Sequence, residues 1–149
     1  MPNVLVVEPN ARFAARLRQA VQTVSHVETQ KKFESAKKRL AERTYDFVIT
    51  NLRLADYNGL HLVYLAATHS APAPRCIVYT KERDPWIAHE VKHAKAFYEI
   101  AECLPVTLIA YVTSALPATD RRDAAQPDRR SGARSGGRRC WDRHVQGSP

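Results

Sequence analysis

Residues 47–62 read FVITNLRLADYNGLHL and combine three local signals in order. The run from Phe47 to Thr50 is short, apolar and β-branched, which is typical of a strand buried on both faces of a sheet. Asn58-Gly59 is a strong turn signal, and residues 60–69 suit a helix. The stretch therefore predicts a buried strand that ends at Asn51, then a polar loop, then a helix.

The same alternation of strand and helix extends on both sides of this stretch. Strand-like runs lie at residues 4–7, 27–29, 47–50, 76–79 and 96–100. Apolar residues at helical spacing follow each run, and Asn10 and Asp84-Pro85 are residue types that begin helices. Because parallel strands need long crossover connections, this pattern predicts an α/β fold whose parallel, five-stranded sheet carries helices on both faces.

The composition of the chain changes at Pro117. Residues 117–149 contain eight arginines and four glycines but no Lys, Phe, Tyr, Ile or Leu. Such a segment cannot bury enough apolar surface to offset the entropy lost on ordering. We therefore predict a folded domain over residues 1–116 and a disordered basic tail over residues 117–149. The net charge of the whole chain is +8, and a tail of this kind is a candidate for contacts with nucleic acid or acidic proteins.

The sequence carries no pattern that indicates a membrane location. No apolar run is long enough for a membrane-spanning helix. The Val4–Val7 run is too short for the core of a signal peptide, and no basic segment precedes it. We therefore expect a cytoplasmic protein that makes no membrane contact.

Residues 51–62 closely resemble the loop that follows the third strand in receiver domains of bacterial response regulators. Thr80, at the end of the fourth predicted strand, and Asp84-Pro85, ahead of the next helix, also match that family. The resemblance covers residues 3–116. It implies a doubly wound, flavodoxin-like sheet of strand order 2-1-3-4-5, with the functional site at the carboxyl ends of the strands.

The resemblance also implies a set of site residues. In receiver domains, the third strand ends in an aspartate that accepts a phosphoryl group from a histidine kinase. An acidic pair helps to hold Mg²⁺, and a threonine or serine and a lysine contact the phosphoryl oxygens. The corresponding positions of this chain are Asn51 for the phosphoacceptor, Glu8 and Pro9 for the acidic pair, Thr80 and Phe97 for the switch residues, and Ile100 for the lysine.

Three of those positions lack the side chain that the chemistry requires. The amide of Asn51 is a very poor nucleophile, whereas a phosphoacceptor needs a carboxylate. Pro9 supplies no oxygen ligand for Mg²⁺, and Ile100 brings no positive charge to a phosphoryl group. We therefore predict a degenerate receiver, or pseudo-receiver, that is not phosphorylated and is not an enzyme. It has no catalytic residue, no metal site and no cofactor, and its Mg²⁺ binding is expected to be weak or absent.

Three functional hypotheses follow. The leading hypothesis is a receiver-like protein of two-component, or phosphorelay, signal transduction. It would act by protein–protein contact with a histidine kinase, another receiver or an output protein, and homodimerisation is left open. The alternative is a nucleic-acid-associated protein that uses the basic tail. The third is a truncated regulator that has lost its output domain. No helix-turn-helix pattern follows residue 116, so sequence-specific DNA recognition is not expected.

Overall fold

The computed structural model describes residues 1–114. The strands are β1 (Asn3–Val7), β2 (His26–Gln30), β3 (Phe47–Asn51), β4 (Arg53–Leu54), β5 (Tyr57–Asn58), β6 (Arg75–Thr80) and β7 (Phe97–Ile100). The helices are α1 (Ala11–Val21), α2 (Phe33–Glu42), α3 (Leu60–His69), α4 (Pro85–His93) and α5 (Leu104–Thr113). None of these helices is long and apolar enough to cross a membrane.

Five strands form one parallel sheet in the order β2-β1-β3-β6-β7. When β4 and β5 are set aside as a separate two-stranded ribbon, this is the predicted order 2-1-3-4-5. The predicted α/β, flavodoxin-like architecture is therefore confirmed. β3 lies at the centre of the sheet, which explains why its side chains from Phe47 to Thr50 are all buried.

The pleat of the sheet divides the core into two halves, because successive side chains of a strand point to opposite faces. The first half contains Leu17 of α1 and Leu108 of α5, packed with strand residues that include Ile49. The second half contains residues of α2, α3 and α4, packed with strand residues that include Val48. Each core strand is thus covered by helices on both faces, as expected for continuous apolar runs.

Side-chain caps begin two of the helices where the sequence predicts them. The Oδ1 atom of Asn10 accepts hydrogen bonds from the backbone N–H groups of Arg12 at 3.0 Å and Phe13 at 3.1 Å. The Oδ1 atom of Asp84 accepts from Trp86 N–H at 2.9 Å, and Pro85 occupies the first turn of α4. Both caps satisfy N–H groups that have no partner within the helix.

The structure differs from the sequence expectation at three places. The apolar spacing of Phe13, Leu17, Val21 and Val24 predicts one helical face, but α1 ends at Val21 and Val24 lies in the turn that follows, where its N–H donates to the Val21 carbonyl at 3.0 Å. The β4–β5 ribbon lies in the segment predicted as loop. The helical spacing of Leu108, Ile109, Val112 and Leu116 predicts the buried face of the last helix, but Ile109 is 42% exposed and Tyr111 of α5 packs in the core. The predicted boundary at residue 116 and the predicted tail at 117–149 lie outside the described residues.

α4 ends in a Schellman motif in which a lysine occupies the position that favours glycine. Ala96 N–H donates to the Val91 carbonyl at 3.1 Å, and Lys95 N–H donates to the Lys92 carbonyl at 2.9 Å. Lys95 has a φ of 62°, in the left-handed region where a Cβ atom approaches the following carbonyl oxygen. The side chain of Lys95 is exposed, so no packing compensates for this strain.

We expect Lys95→Gly to raise the free energy of unfolding by about 0.5–1 kcal/mol, because relief of the left-handed strain exceeds the entropy cost of glycine. Lys37→Gly is the matched control at an exposed position inside α2, and it should lower stability by about 1 kcal/mol. Urea unfolding measures both. A loss of stability in both variants would contradict the strain at Lys95.

A second prediction tests the central position of β3. Ile49 is completely buried, so Ile49→Ala leaves a cavity and should cost about 2–5 kcal/mol. Lys38 is exposed, and its contact with Glu42 at 3.9 Å is a surface pair, so Lys38→Ala should change stability by less than about 0.5 kcal/mol. Equal effects of the two changes in urea unfolding would contradict a buried central strand.

Candidate functional site at the carboxyl edge of the sheet

The parallel strands bring four of the predicted site residues to one edge of the sheet. Glu8 directly follows β1, and Asn51, Thr80 and Ile100 are the last residues of β3, β6 and β7. In folds of this type the functional site lies at the carboxyl ends of the strands. The sequence prediction therefore placed these residues at the edge where the structure has them.

Glu8 is the centre of a hydrogen-bond network at this edge. Its side chain is only 3% exposed. One carboxylate oxygen, Oε1, accepts from Asn10 N–H at 2.8 Å. The other, Oε2, accepts from the Asn51 side-chain amide at 3.1 Å and from the Tyr79 hydroxyl. Within residues 1–114, no lysine or arginine forms an ion pair with Glu8. Neutral donors alone thus satisfy this buried carboxylate.

Tyr79 is a permanent donor in this network. Burial raises the pKa of its hydroxyl above the ordinary value of 10, and the hydrogen bond to Glu8 and the charge of Glu8 raise that pKa further. The phenol therefore keeps its proton throughout the physiological pH range. The Phe13 ring packs edge-on against the Tyr79 ring, with 5.5 Å between centroids, and this contact helps to orient the hydroxyl.

Asn51 is held on both sides of its amide group. Its Nδ2 donates to Glu8, and its Oδ1 accepts from Arg53 N–H at 3.0 Å. The backbone of Asn51 is also closely covered, since a Cβ atom on Gly59 would lie 2.3 Å from the Asn51 carbonyl oxygen. Gly59 is therefore required by this close approach, and its N–H donates to the Leu52 carbonyl at 2.7 Å. Neither polar atom of the Asn51 side chain is left without a partner.

Thr80 belongs to a separate network on the other face of the sheet. Its hydroxyl donates to the Glu82 carbonyl at 2.6 Å and also contacts the Tyr98 hydroxyl at 2.5 Å. Because Tyr79 and Thr80 are consecutive in β6, the pleat sends them to opposite faces. The Thr80 hydroxyl is consequently bonded to the loop ahead of α4 and not to the Glu8 network.

The remaining predicted site residues bring no polar side chain to this edge, and Phe97 lies at the opposite end of β7, paired with Ile77. Phe97 is buried and packs edge-on against Tyr111, with 5.3 Å between ring centroids. Ile100 is 6% exposed and pairs with Thr80 across the strands. Pro9 is exposed beside Glu8. No group of three or more His, Cys, Asp or Glu residues suited to a metal ion occurs in residues 1–114.

Comparisons with known proteins identify the fold. No family model matches the chain, and no curated protein does. Among solved structures, the BeF3-activated receiver domain of DrrB has a TM-score of 0.67 and 22% identity, covering 75% of this chain and 94% of that one. DrrB is an OmpR/PhoB homologue of Thermotoga maritima. The Vibrio cholerae chemotaxis protein CheY4 has a TM-score of 0.67 and 19% identity, covering 74% and 95%.

The described domain has the receiver fold of response regulators. A third structure with this fold, a Burkholderia pseudomallei response regulator that contains a phosphorylated aspartic acid, has a TM-score of 0.67 and 21% identity, covering 76% of this chain and 68% of that one. The chain spans only 50% of a longer DrrB structure. At these identities the likeness concerns the fold, so the roles of site residues rest on the geometry described above.

Sequence reasoning missed Tyr79 and Tyr98, the two side chains that complete the networks. Both lie next to predicted site residues, Tyr79 before Thr80 and Tyr98 after Phe97. A hydroxyl-bearing aromatic residue at the polar end of an otherwise apolar strand was the available signal, because a buried tyrosine usually needs a partner for its hydroxyl. The sequence alone does not say which neighbour supplies that partner.

We predict that Asn51→Asp destabilises the domain at neutral pH by about 2 kcal/mol or more, because it replaces a donor to Glu8 with a second carboxylate. The two carboxylates would share a proton, so one pKa lies above its unfolded value. For such an acid, stability is greatest at low pH and is lost as the pH rises. The deficit should therefore shrink toward pH of about 4. Thermal melts in a chelator across the pH range measure this.

Asn58→Asp is the matched control for this change. Asn58 is exposed, and its Oδ1 atom accepts from Leu60 N–H at 2.9 Å, a role that an aspartate also fills. We expect this variant to melt as the wild-type protein does at every pH tested. If Asn51→Asp behaved in the same way as this control, the bond between Asn51 and Glu8 would contribute nothing to stability.

Proposed function

We propose that this protein is a receiver-like module of two-component signal transduction that is not phosphorylated and acts through protein–protein contact. The observation that carries the proposal is the network around Glu8, in which Asn51 donates a hydrogen bond where a phosphoacceptor would present a nucleophilic oxygen. The receiver fold supports the signalling context, and the site chemistry supports the absence of phosphorylation.

The first support comes from the acceptor position. Phosphoryl transfer to a side chain requires an oxygen nucleophile that is free to attack phosphorus. Asn51 presents its amide nitrogen to Glu8, and its only oxygen already accepts from Arg53 N–H. Glu8, the buried carboxylate of this network, has hydrogen bonds on both of its oxygens.

The second support comes from the ligands that Mg²⁺ would need. Mg²⁺ requires an octahedral set of oxygen ligands and loses its water reluctantly. Pro9 offers no side-chain oxygen, and Asn51 turns its nitrogen toward Glu8. A cation bound by Glu8 would have to displace donors from Asn51 and Tyr79. We propose that the donor set does not suit Mg²⁺, and that the neutral donors serve in place of a cation.

The third support comes from the positions that would neutralise a phosphoryl group. Ile100 is buried and apolar, so it adds no positive charge at the end of β7. The Thr80 hydroxyl is engaged with the Glu82 carbonyl at 2.6 Å and the Tyr98 hydroxyl at 2.5 Å, both on the side of the loop before α4. The charge that develops in phosphoryl transfer would have neither of the usual partners here.

The proposal assigns the chain no enzymatic activity and no cofactor. Its partners would be a histidine kinase, another receiver or an output protein, and self-association to a homodimer belongs to the same class of contact. We place its action in the cytoplasm, where such signalling proteins meet their partners. A module of this kind would present one surface conformation permanently. A receiver that is phosphorylated instead shifts between two conformations.

Incubation with acetyl phosphate and Mg²⁺, followed by intact-mass spectrometry, tests the proposal. We expect no acid-labile phosphoryl adduct on the wild-type chain, because no free carboxylate oxygen lies at position 51. A receiver domain that has its aspartate, treated in parallel, verifies the reagent. Asn51→Asp should also remain essentially unmodified, since Pro9 and Ile100 still leave the metal and the phosphoryl group without ligands. An adduct that maps to residues 46–60 of the wild-type chain would overturn the proposal.

A further inference from the structure

The net positive charge of the described domain is concentrated in one segment, residues 31–43, which contains the end of the loop after β2, helix α2 and the residue that follows it. The segment has two acids, Glu34 and Glu42, and six cations. The cations are Lys31, Lys32, Lys37, Lys38, Arg39 and Arg43. Residues 1–30 and 44–114 contain nine lysines and arginines and nine aspartates and glutamates, so their formal charges cancel. The segment therefore carries the whole net charge of residues 1–114.

The arginines of the segment hold α2 on the edge of the sheet. Arg39 Nε lies 2.7 Å from one carboxylate oxygen of Glu28, and a guanidinium nitrogen of Arg43 lies 3.7 Å from the other. The Tyr45 hydroxyl donates to the same carboxylate at 2.9 Å. Because Glu28 belongs to β2, the charge of the arginines is partly compensated in joining the helix to its edge strand.

The lysines of the segment have no comparable partners. Lys31, Lys32 and Lys37 are exposed and form no ion pair with any residue of 1–114. The side chain of Lys38 is 76% exposed, and its contact with Glu42 at 3.9 Å is a surface pair that contributes little. These four side chains, the lysine surface, thus carry the excess charge of the domain.

The lysine surface lacks the apolar anchors that protein interfaces use. In the described part of the chain, the exposed large hydrophobic residues are Met1, Tyr57, Tyr64, Trp86, Val106 and Ile109. None of them belongs to residues 31–43. Tyr57 borders the segment, but one face of its ring is covered by Phe33 of α2, with 4.4 Å between centroids. Lysine is depleted at protein interfaces, which depend on aromatic and arginine anchors, and helices that lie on membranes insert apolar side chains.

A partner that is recognised by charge alone fits such a surface. We propose that the lysine surface binds the phosphate backbone of duplex nucleic acid. α2 has ten residues and is therefore about 15 Å long, whereas a duplex carries one charge per about 1.7 Å of its axis, so several phosphates lie within reach. Lysine ammonium groups act as point charges without the fork geometry of arginine. The contact consequently supplies affinity without sequence preference.

The arginines of α1 extend the positive field of this edge of the domain. Arg12, Arg16 and Arg18 are exposed, and α1 contains no acid. α1 covers the face of the sheet opposite to α2. These arginines therefore add to the field that attracts a polyanion but lie outside the proposed contact.

The full-length double variant Lys32→Gln/Lys37→Gln tests the inference. Binding of a fluorescein-labelled DNA duplex of random sequence, about 20 base pairs long, is measured by anisotropy between about 50 and 200 mM salt. We expect the variant to bind about tenfold more weakly than the wild-type chain at the lower salt concentration. Its slope of log K against log salt should be shallower by about 2, because each lysine that contacts a phosphate releases about one counterion.

Lys81→Gln/Lys95→Gln is the matched control, because it removes the same two charges from exposed positions outside the segment. We expect this variant to bind the duplex with wild-type affinity and salt slope. Both double variants should unfold at the wild-type urea midpoint, since all four side chains are exposed. Every variant retains residues 115–149, so any contribution of that segment is the same in each.

Four results would overturn the inference. The first is no binding of the duplex by the wild-type chain at about 50 mM salt, where such contacts are strong. The second is wild-type binding by Lys32→Gln/Lys37→Gln, which would place the contact elsewhere. The third is equal weakening in both double variants, which would show that only net charge matters. The fourth is tighter binding to polyglutamate or to phosphatidylserine vesicles than to the duplex, which would assign the surface to an acidic protein or a membrane.

Discussion

The buried carboxylate of Glu8 is the constraint on which the arrangement at the carboxyl edge of the sheet depends. A carboxylate that is 3% exposed must be paired or hydrogen-bonded. This chain meets that requirement with an amide, a phenol and a backbone N–H, and with no cation from the described residues. The side chains of Asn51 and Tyr79 are consequently fixed in orientation, because each supplies a donor that Glu8 requires.

The pleat of the sheet explains why this edge holds two networks and not one. Tyr79 and Thr80 are neighbours in sequence, yet one bonds Glu8 and the other bonds the loop before α4. The same alternation separates Phe97, which packs on Tyr111, from Tyr98, which contacts Thr80. Two adjacent strands therefore contribute one residue each to the α4 side, and the hydroxyls of those two residues contact each other there.

The fold could be predicted from sequence because its signals are strong and local. The apolar runs at Val4–Val7 and Phe47–Thr50 and the caps at Asn10 and Asp84 each specify an element without reference to the rest. The β4–β5 ribbon could not be predicted, because two-residue strands carry no periodicity. The positions of Glu8 and Asn51 could be predicted, because both lie at the ends of predicted strands. Their hydrogen-bond partners could not, because these depend on the face of the sheet to which each neighbouring residue points. The face to which each residue points is set by tertiary packing. Only the structure therefore reveals that Tyr79 and Tyr98 complete the two networks.

The residues around Glu8 depend on one another, because a single change among them would leave a charge without a partner. An aspartate at position 51 alone would face Glu8 without a cation between them. Ile100 is only 6% exposed. A lysine at this position would therefore bring a charge into buried surroundings, and that charge would have to reach water or a partner. A second acid in place of Pro9 would add another negative charge beside Glu8. We propose that each of these changes would be unfavourable when made alone, because it adds a charge without the partner that would compensate it. The donors from Asn51, from Tyr79 and from the Asn10 backbone satisfy Glu8 without a cation, and this is the arrangement that such single changes would disturb.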